Sequence, residues 1–291
     1  MAFVGRKKPD WLKIKIENRA EFAFVSKIVA ENNLHTICSS GKCPNMSECW
    51  NRGTATFMIL GDICTRNCKF CATKSGKPLE IDQNEPVKLA RSVSLMKLKH
   101  CVITSVDRDD LKDGGASHWV KVVEKVKELN AQTTVEILIP DFDAYFSLLE
   151  IVAASKADIF GHNIETVERV TPLVRSRASY EKSMKVLSFL ASKGLRVKSG
   201  LMVGIGETNQ EVRTTLQDLY DNGCRILTIG QYLQPTKAHI EVDRYVTPEE
   251  FDSFKEWALE IGFDYVESAP LVRSSYMAEK AMINLRETTK K

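Results

Sequence analysis

The chain has 291 residues, of which 43% are hydrophobic and 27% are charged, so it can bury a large core and does not have the composition of a disordered protein. Its net charge of +3 is too small to indicate a nucleic-acid-binding protein. No apolar run approaches the roughly 18 residues of a membrane span, and charged residues interrupt the start where a signal peptide is apolar, so we expect a cytoplasmic protein outside the membrane.

The first 20 residues are basic, with six Lys or Arg against Asp10 and Glu17. Two interpretations fit this stretch equally well. It is either a docking element for an acidic partner or an ordinary solvated terminus, since charge runs usually lie on wet surface.

Beyond residue 52, apolar runs typical of β-strands alternate with amphipathic helical stretches. The predicted strands are 56–60, 100–105, 133–139, 157–162, 195–203 and 225–231, and the clearest helices are 118–129 and 180–191. The alternation predicts six βα units around a parallel sheet. Periodicity alone fits either an open doubly wound sheet or a partial barrel, and in both of them ligands bind at the carboxyl ends of the strands.

Eight cysteines in a cytosolic chain indicate metal binding, because reducing compartments keep thiols free of stable disulfides. Six of the eight lie between Cys38 and Cys71. The isolated Cys101 and Cys224 are expected to pack as ordinary buried residues, since free cysteine behaves as a small hydrophobe.

The upstream triplet, formed by Cys38, Cys43 and Cys49, has the spacing C-x4-C-x5-C and precedes the first strand. Three thiolates are one ligand short of the four that usually hold a 4Fe-4S cluster. Taken alone, this spacing is weak evidence for a metal, and scattered thiols explain it better.

The downstream triplet, formed by Cys64, Cys68 and Cys71, has the spacing C-x3-C-x2-C and follows the first strand directly. Three thiolates can hold three irons of a 4Fe-4S cube and leave the fourth iron open to another ligand, as catalytic metals keep a position free. A structural zinc site is the alternative. Zinc usually takes four protein ligands in C-x2-C pairs, however, and no second pair completes this one.

Small and polar residues follow the later strands, where a ligand would bind. They are Gly114 and Gly115 after the second strand, Asn163 and Glu165 after the fourth, and Gly204 and Gly206 after the fifth. Bare backbone at a glycine can approach a ligand closely. A turn explains Asp113-Gly114-Gly115 equally well. Glu207, which follows Gly206, fits the start of a helix as well as it fits a ligand site.

The downstream triplet, on a loop after the first strand of a βα series, resembles the radical S-adenosylmethionine (SAM) superfamily, in which the open iron binds SAM. Together the two triplets resemble the lipoyl synthase family in particular. The segments that match this family are RKKPDWLKIK, GTATFMILGDICTRNCKFCA, VDRDDLKDGGA, HNIETV, GLMVGIGET, GQYLQP and RSSYMAE. The similarity covers about residues 6–279 without a break in the pattern.

The resemblance implies an α/β fold, a partial (β/α)6 barrel with N-terminal and C-terminal extensions that cap the site. Residues 1–52 would carry the auxiliary-cluster cysteines, residues 53–268 would form the barrel, and residues 269–291 would supply a serine ligand and a tail. The fourth ligand of the auxiliary cluster would be Ser275 or, as the second choice, Ser274. A polar turn or a helix start explains this serine pair without the resemblance.

The resemblance also implies the cofactors and the reaction. One 4Fe-4S cluster, on the downstream triplet, would cleave SAM, and a second, auxiliary cluster on the upstream triplet would be consumed as the sulfur donor. Two SAM molecules would be used as sulfur is inserted at carbons 6 and 8 of an octanoyl-lysine. The six residues at the strand ends would contact SAM.

The expected partners are octanoylated lipoyl domains or a glycine-cleavage H protein, an electron donor such as ferredoxin or flavodoxin, and an iron-sulfur carrier that repairs the cluster. A biotin synthase or a methylthiotransferase would share the downstream triplet but not the upstream one. A ferredoxin-like electron carrier and a zinc-held interaction module are the non-enzymatic alternatives.

Overall fold

The computed structural model describes residues 7–14 and 20–282. Much of the basic N-terminal stretch and the tail from residue 283 lie outside the described residues, so the docking role of the basic stretch stays a prediction. Within the described part, none of the helices is both long and apolar enough to cross a membrane.

The described residues form ten strands and ten α-helices. The strands are β1 (His35–Thr36), β2 (Thr56–Ile59), β3 (Ile63–Cys64), β4 (Lys74–Ser75), β5 (His100–Ser105), β6 (Thr134–Leu138), β7 (Ile159–Gly161), β8 (Val197–Val203), β9 (Ile226–Gln231) and β10 (Tyr265–Ser268). The helices are α1 (Ala20–Glu31), α2 (Ile37–Ser40), α3 (Met46–Asn51), α4 (Glu85–Leu95), α5 (Ala116–Leu129), α6 (Phe146–Ala153), α7 (Thr171–Val174), α8 (Tyr180–Ser192), α9 (Asn209–Asp221) and α10 (Pro248–Ile261).

Eight strands form one sheet in the order β1-β2-β5-β6-β7-β8-β9-β10. All neighbours pair in parallel except β1, which is antiparallel to β2. Each new strand joins the same growing edge, without the reversal of order that defines a doubly wound sheet. The two edge strands do not pair with each other, so the sheet stays open. The predicted partial barrel is therefore confirmed, and the doubly wound alternative is wrong.

The predicted strands agree with the observed ones to within two residues at each end, but the sequence reading missed β10. This strand pairs in parallel with β9 and adds a seventh parallel strand to the described sheet. Its residues alternate between buried and half-buried, and they are only four in number. A short alternating run at the edge of a sheet lacks the continuous apolar signal of the central strands.

Continuous burial explains why the central strands form. Every residue of β2 and of β9 is buried, as expected for parallel strands covered on both faces. The helices cover them with one apolar face each; α5, for example, buries Trp119, Val122, Val123 and Val126. Burial of each such side chain contributes about 1.5–3 kcal/mol. Cys101 and Cys224 are both fully buried in this core, as predicted.

The chain after β10 returns to the segment that carries the upstream triplet. Asn45 Nδ2 donates to the Leu271 carbonyl at 2.6 Å, and Tyr276 Oη donates to Glu48 Oε1 at 3.0 Å. Arg52 forms an ion pair with Glu279. These contacts join positions more than 220 residues apart and bring both extensions to one side of the sheet.

Candidate active site

The downstream triplet lies on a loop that leaves the carboxyl end of β2. Leu60 has a left-handed backbone, and buried side chains hold this turn: the Leu60 N–H donates to Glu85 Oε2 at 3.0 Å, and Arg108 Nη1 donates to the Leu60 carbonyl at 3.1 Å. His118 Nε2 lies 2.6 Å from the same Glu85 oxygen. The loop then forms β3, which pairs with β4 and so encloses Cys68 and Cys71 between them.

Arg66 fixes this loop from inside the C-x3-C spacing. The residue is 7% exposed, and its guanidinium contacts Asp109 and Asp141 at 2.8 Å and Asp107 at 3.3 Å. Burial by itself lowers the Arg66 pKa, but the hydrogen bond with Asp109 and the charges of Asp107 and Asp141 outweigh burial and raise it. These carboxylates follow β5 and β6, so the cysteine loop is tied to two neighbouring strand ends.

The other end of the loop is held by backbone and histidine contacts. The Lys69 N–H donates to the Val174 carbonyl at 2.8 Å, and the Lys69 carbonyl accepts from the Ile240 N–H at 3.0 Å. His239 Nε2 donates to the Cys71 carbonyl at 2.9 Å. The three thiols are therefore carried on a loop that is fastened at both ends.

Burial raises the pKa of thiols in both triplets. It raises the pKa of Cys64 to about 12, with a further contribution from the Asp107 carboxylate, and it raises the pKa of Cys49 to about 12. Burial also raises the pKa of Cys43 and of Cys71. Thiolates are the metal ligands, so a cluster has to displace protons from these sites.

Short helices carry the upstream triplet. Cys38 lies in α2, where the Thr36 side chain caps the helix by accepting from the Ser39 N–H at 3.3 Å. The Cys43 N–H donates to the Cys38 carbonyl at 3.0 Å, which turns the chain back, and Cys49 lies in α3. The three cysteines thereby face one small volume.

The two serines of the RSSY segment have different partners. Asn163 Nδ2 donates to Ser274 Oγ at 2.7 Å, whereas Thr56 Oγ1 donates to Ser275 Oγ at 2.8 Å. Ser274 thus faces a residue at the end of a barrel strand, and Ser275 faces the first residue of β2, which follows the upstream triplet in the chain.

Two adjoining cavities contain these groups. The large cavity, of about 310 Å³, is within the size range of ligand pockets. Its walls include the predicted site residues Cys38, Cys43, Cys64, Cys68, Cys71, Asn163, Glu165, Ser274 and Ser275. The small cavity, of about 40 Å³, is lined by all three upstream cysteines and by Ser275, but not by Ser274. The two cavities share Cys38, Cys43 and Ser275 in their walls, so the fold brings the two triplets together.

Glu165 and Arg175 contribute polar groups to the wall of the large cavity. Glu165 has a left-handed backbone, held by hydrogen bonds to Gly200 and Met202 in β8. Burial raises the Glu165 pKa against the opposing charge of Arg175. Nη1 of Arg175 donates to Ser183 Oγ at 2.9 Å, while its buried Nε has no hydrogen-bond partner among the described residues.

The four predicted glycines do not line either cavity. Gly115 caps the start of α5 with a left-handed backbone, where a side chain would meet Leu60, and a side chain at Gly114 would meet Phe142. The Glu207 carboxylate accepts from the N–H groups of Gly204 and Ile205, which closes the turn that also contains Gly206. The structure gives these glycines structural explanations, and their contact with SAM stays a prediction.

The donor set fits iron-sulfur clusters better than a single metal ion. Among the described residues, no three Cys, His, Asp or Glu side chains converge as the ligands of one ion would. Each triplet instead spreads its thiols around the wall of a cavity. This arrangement is expected for a cube, in which each thiolate binds a different iron, and it counts against the zinc alternative.

Sequence reading missed several residues in these walls. Arg175, Arg273 and Thr56 line the large cavity, and Arg273 and Thr56 line the small one as well. Arg273 lies in RSSY and Thr56 in GTATF, so the motifs marked their positions but not their roles. Thr56 has its partner, Ser275, 219 residues further along the chain, and no local pattern reveals such a pair.

Comparison with known proteins agrees with this geometry. The profile of the Radical SAM superfamily matches residues 58–219. The lipoyl synthase of Bacteroides thetaiotaomicron is 57% identical over 94% of this chain and 97% of its own length, and that of Treponema denticola is 53% identical over 96% and 97%.

Solved structures show the same fold at low identity. Streptococcus suis SuiB bound to S-adenosylmethionine superposes with a TM-score of 0.57 at 10% identity, over 78% of this chain and 55% of SuiB. The chain thus spans about half of that protein. Methylornithine synthase superposes with a TM-score of 0.51 at 13% identity, over 90% of this chain and 85% of that one.

The open parallel sheet, the loop of three cysteines after its first parallel strand and the profile match define a radical SAM enzyme. Membership in this superfamily implies a 4Fe-4S cluster and SAM as cofactors. The high identity over nearly the whole length goes one step further: the chain belongs to the lipoyl synthase family.

Proposed function

We propose that the protein inserts two sulfur atoms at carbons 6 and 8 of an octanoyl chain on a lysine of a carrier protein, and so produces lipoyl-lysine. One observation supports this most strongly: the large cavity is lined by all three downstream cysteines together with Cys38 and Cys43 of the upstream triplet. A radical formed at one triplet would then act close to a sulfur source at the other. Attack on an unactivated C–H bond requires such cofactor chemistry, since acid and base side chains cannot supply it.

At the downstream triplet, Cys64, Cys68 and Cys71 would ligate the cluster that binds and cleaves SAM. Arg175 is suited to the methionine carboxylate, because it lines the large cavity and arginine recognises carboxylates with paired donors. Asn163 and Glu165 offer an amide and a carboxylate to the hydroxyl groups of the ribose. Gly114, Gly115, Gly204 and Gly206 are the further predicted SAM contacts.

At the upstream triplet, Cys38, Cys43 and Cys49 would hold the auxiliary 4Fe-4S cluster that supplies sulfur. We assign Ser275 as its fourth ligand, because Ser275 lines the small cavity with these cysteines and Ser274 does not. A serine alkoxide is an unusual ligand for iron, where thiolate is the norm. A weaker ligand suits a cluster that comes apart during turnover.

The carrier proteins are expected to be octanoylated lipoyl domains or a glycine-cleavage H protein. Ferredoxin or flavodoxin would supply electrons, and an iron-sulfur carrier would rebuild the auxiliary cluster. We place the protein in the cytoplasm, where reducing conditions keep its eight free cysteines available for iron. In the proposed division, residues 1–52 and 269–291 hold the auxiliary cluster against the barrel of residues 53–268.

The proposal is tested with the full chain, reconstituted anaerobically and supplied with SAM, a reductant and an octanoylated lipoyl domain. Mass spectrometry should show the gain of two sulfur atoms. Cys68→Ala should abolish 5′-deoxyadenosine formation, whereas Cys43→Ala should retain SAM cleavage and lose sulfur insertion. Identical effects of the two substitutions on both assays contradict the proposed division of roles.

A further inference from the structure

None of the roles assigned above uses the positive charge of Arg273. The side chain is partly buried, lines both cavities, and donates from Nη1 to the carbonyl of its own neighbour Val272 at 2.6 Å. Within residues 7–14 and 20–282, no Asp or Glu forms an ion pair with it. Cys43 of the upstream triplet lines both cavities with it.

A partly buried guanidinium without a paired anion is unfavourable in free energy. Burial lowers the Arg273 pKa below its ordinary value, in opposition to Cys43, which raises it. Arginine nevertheless stays protonated in proteins, so the positive charge remains. A buried charge persists only when an anion pairs with it, because its desolvation is otherwise uncompensated. The walls of the two cavities therefore point to an anionic occupant beside Arg273.

Two anions are candidates, and the geometry separates them. The methionine carboxylate of SAM would lie in the large cavity, where Arg175 forms part of the wall. Arg175 does not line the small cavity, whereas Arg273 lines it together with the three upstream cysteines and Ser275. Three thiolates and a serine alkoxide make the ligand shell of the auxiliary cluster strongly negative.

Strand β9 packs closely against the segment that carries Arg273. A Cβ atom on Gly230, in β9, would lie 2.1 Å from the Val272 carbonyl oxygen and 3.3 Å from Arg273 Nη1. Any residue other than glycine would push this part of the chain out of its place. Asn45, which lies between two of the upstream cysteines, holds the same segment through the Leu271 carbonyl. These contacts hold the segment that carries Arg273 beside the upstream triplet.

We infer that Arg273 is the counter-cation of the auxiliary cluster: it offsets the negative charge of the cluster, slows the loss of iron and raises the reduction potential. The inference rests on the proposed function, since it requires a cluster on Cys38, Cys43 and Cys49. A nearby positive charge favours the reduced form, which carries one electron more, and groups around a cluster tune its potential in this way.

The test uses the full chain with Cys64→Ala, Cys68→Ala and Cys71→Ala, so that only the auxiliary cluster is reconstituted. Its potential is measured by a redox titration followed by electron paramagnetic resonance, and its stability by the rate of iron release to a chelator. Arg273→Gln keeps the polarity and most of the bulk but removes the charge. We expect a more negative potential and iron release about 10-fold faster or more, since residues that support metal ligands have effects of this size.

Two further variants make the result decisive. Arg273→Lys keeps the charge and should restore most of the potential, and Arg175→Gln, the matched control at the SAM side, should change neither quantity. If Arg273→Gln lost the cluster completely, recovery with Arg273→Lys would support the inference, and failure of Arg273→Lys to recover it would overturn it. An unchanged potential and release rate in Arg273→Gln would also overturn it.

The alternative, that Arg273 pairs with the carboxylate of SAM, is tested in the protein with an intact downstream triplet. If Arg273→Gln weakened SAM binding there and left the auxiliary potential unchanged, Arg273 would serve SAM and the inference would be wrong. A different result separates this inference from the proposed function. If the parent triple variant held no cluster after reconstitution, the auxiliary cluster itself would be refuted, and the role of Arg273 would fall with it.

Discussion

Two adjacent serines show how one residue step can separate two roles. Ser274 accepts a hydrogen bond from Asn163, at the wall of the large cavity, and Ser275 accepts one from Thr56 beside the upstream triplet. The sequence narrowed the ligand to this pair but could not choose between neighbours. The choice depends on which way each hydroxyl points, and tertiary contacts decide that.

Substitution of each serine by alanine tests this choice. Ser275→Ala should lower the iron retained by the upstream triplet and abolish the second sulfur insertion, while SAM cleavage continues. Ser274→Ala, its matched control, should keep both clusters and weaken SAM binding several-fold, because Asn163 loses its partner. Iron analysis and 5′-deoxyadenosine assays on the same samples measure both effects. Full turnover by Ser275→Ala would remove it from the ligand set.

Arg175 provides a prediction for the SAM side. Arg175→Met removes the guanidinium from the wall of the large cavity, and we expect SAM affinity to fall about 10-fold to 100-fold, as charge-assisted hydrogen bonds contribute about 1.5–3 kcal/mol. Arg175→Lys should recover only part of this affinity, since a lysine cannot form the paired contact. Equilibrium binding of SAM to the reconstituted protein measures the change. Equal affinity in all three proteins would exclude Arg175 from the SAM site.

Single elements were predicted well where the apolar signal was continuous and poorly where it was not. The strand 100–105 was predicted at its observed bounds because β5 is buried throughout its centre. β10 was not predicted because only its alternate residues are buried. The order of the strands lay beyond periodicity altogether, since parallel pairing joins segments by long crossovers that leave no local mark in the sequence.

The C-terminal segment, residues 269–282, is an element without regular strands or long helices, yet it connects the two halves of the site. It fits against β8 and β9 at two glycines. A Cβ on Gly200 would approach the side chains of Asn163 and Ser274, whereas one on Gly230 would overlap the Val272 carbonyl. Side-chain ends can move aside, but a backbone carbonyl cannot move without its segment.

The two glycines therefore give a graded prediction. Gly230→Ala should displace the segment, cost about 1–3 kcal/mol in the free energy of unfolding through overpacking, and reduce iron retention at the upstream triplet. Gly200→Ala should have a smaller effect on unfolding and act mainly on SAM binding. Urea titrations and iron analysis measure both. A larger loss of auxiliary iron in Gly200→Ala than in Gly230→Ala would contradict the proposed fit.

At the scale of the whole molecule, the open sheet lets segments from both ends of the chain reach the site. The upstream triplet comes before the first parallel strand, and Ser275 comes after the last one. Hydrogen bonds and an ion pair then join these distant segments directly. The cavity between them is accordingly lined by residues from before, within and after the sheet.

The protonation of the buried thiols gives a prediction for the whole fold. Burial raises the pKa of Cys49 and Cys64 from 9.0 to about 12 in the protein without iron. A raised pKa means that the folded state keeps its thiol protons longer than the unfolded state does. The stability that this contributes is fully present below pH 9.0 and is lost as the pH rises toward about 12. In the iron-loaded protein these thiols are already ionised and ligated, so this loss should not occur.

Thermal unfolding of the iron-free and reconstituted protein between about pH 7 and pH 10.5 should therefore give midpoints that diverge above pH 9, with the iron-free form falling faster. The fully buried Cys101 and Cys224 also have raised pKa values, but they titrate in both forms and cancel in the difference. Parallel decline of the two midpoints would show that Cys49 and Cys64 are not the groups that ionise. Reconstitution should also release protons and proceed further as the pH rises from about 6.5 to 8.5, because each thiol has to lose its proton before it can bind iron.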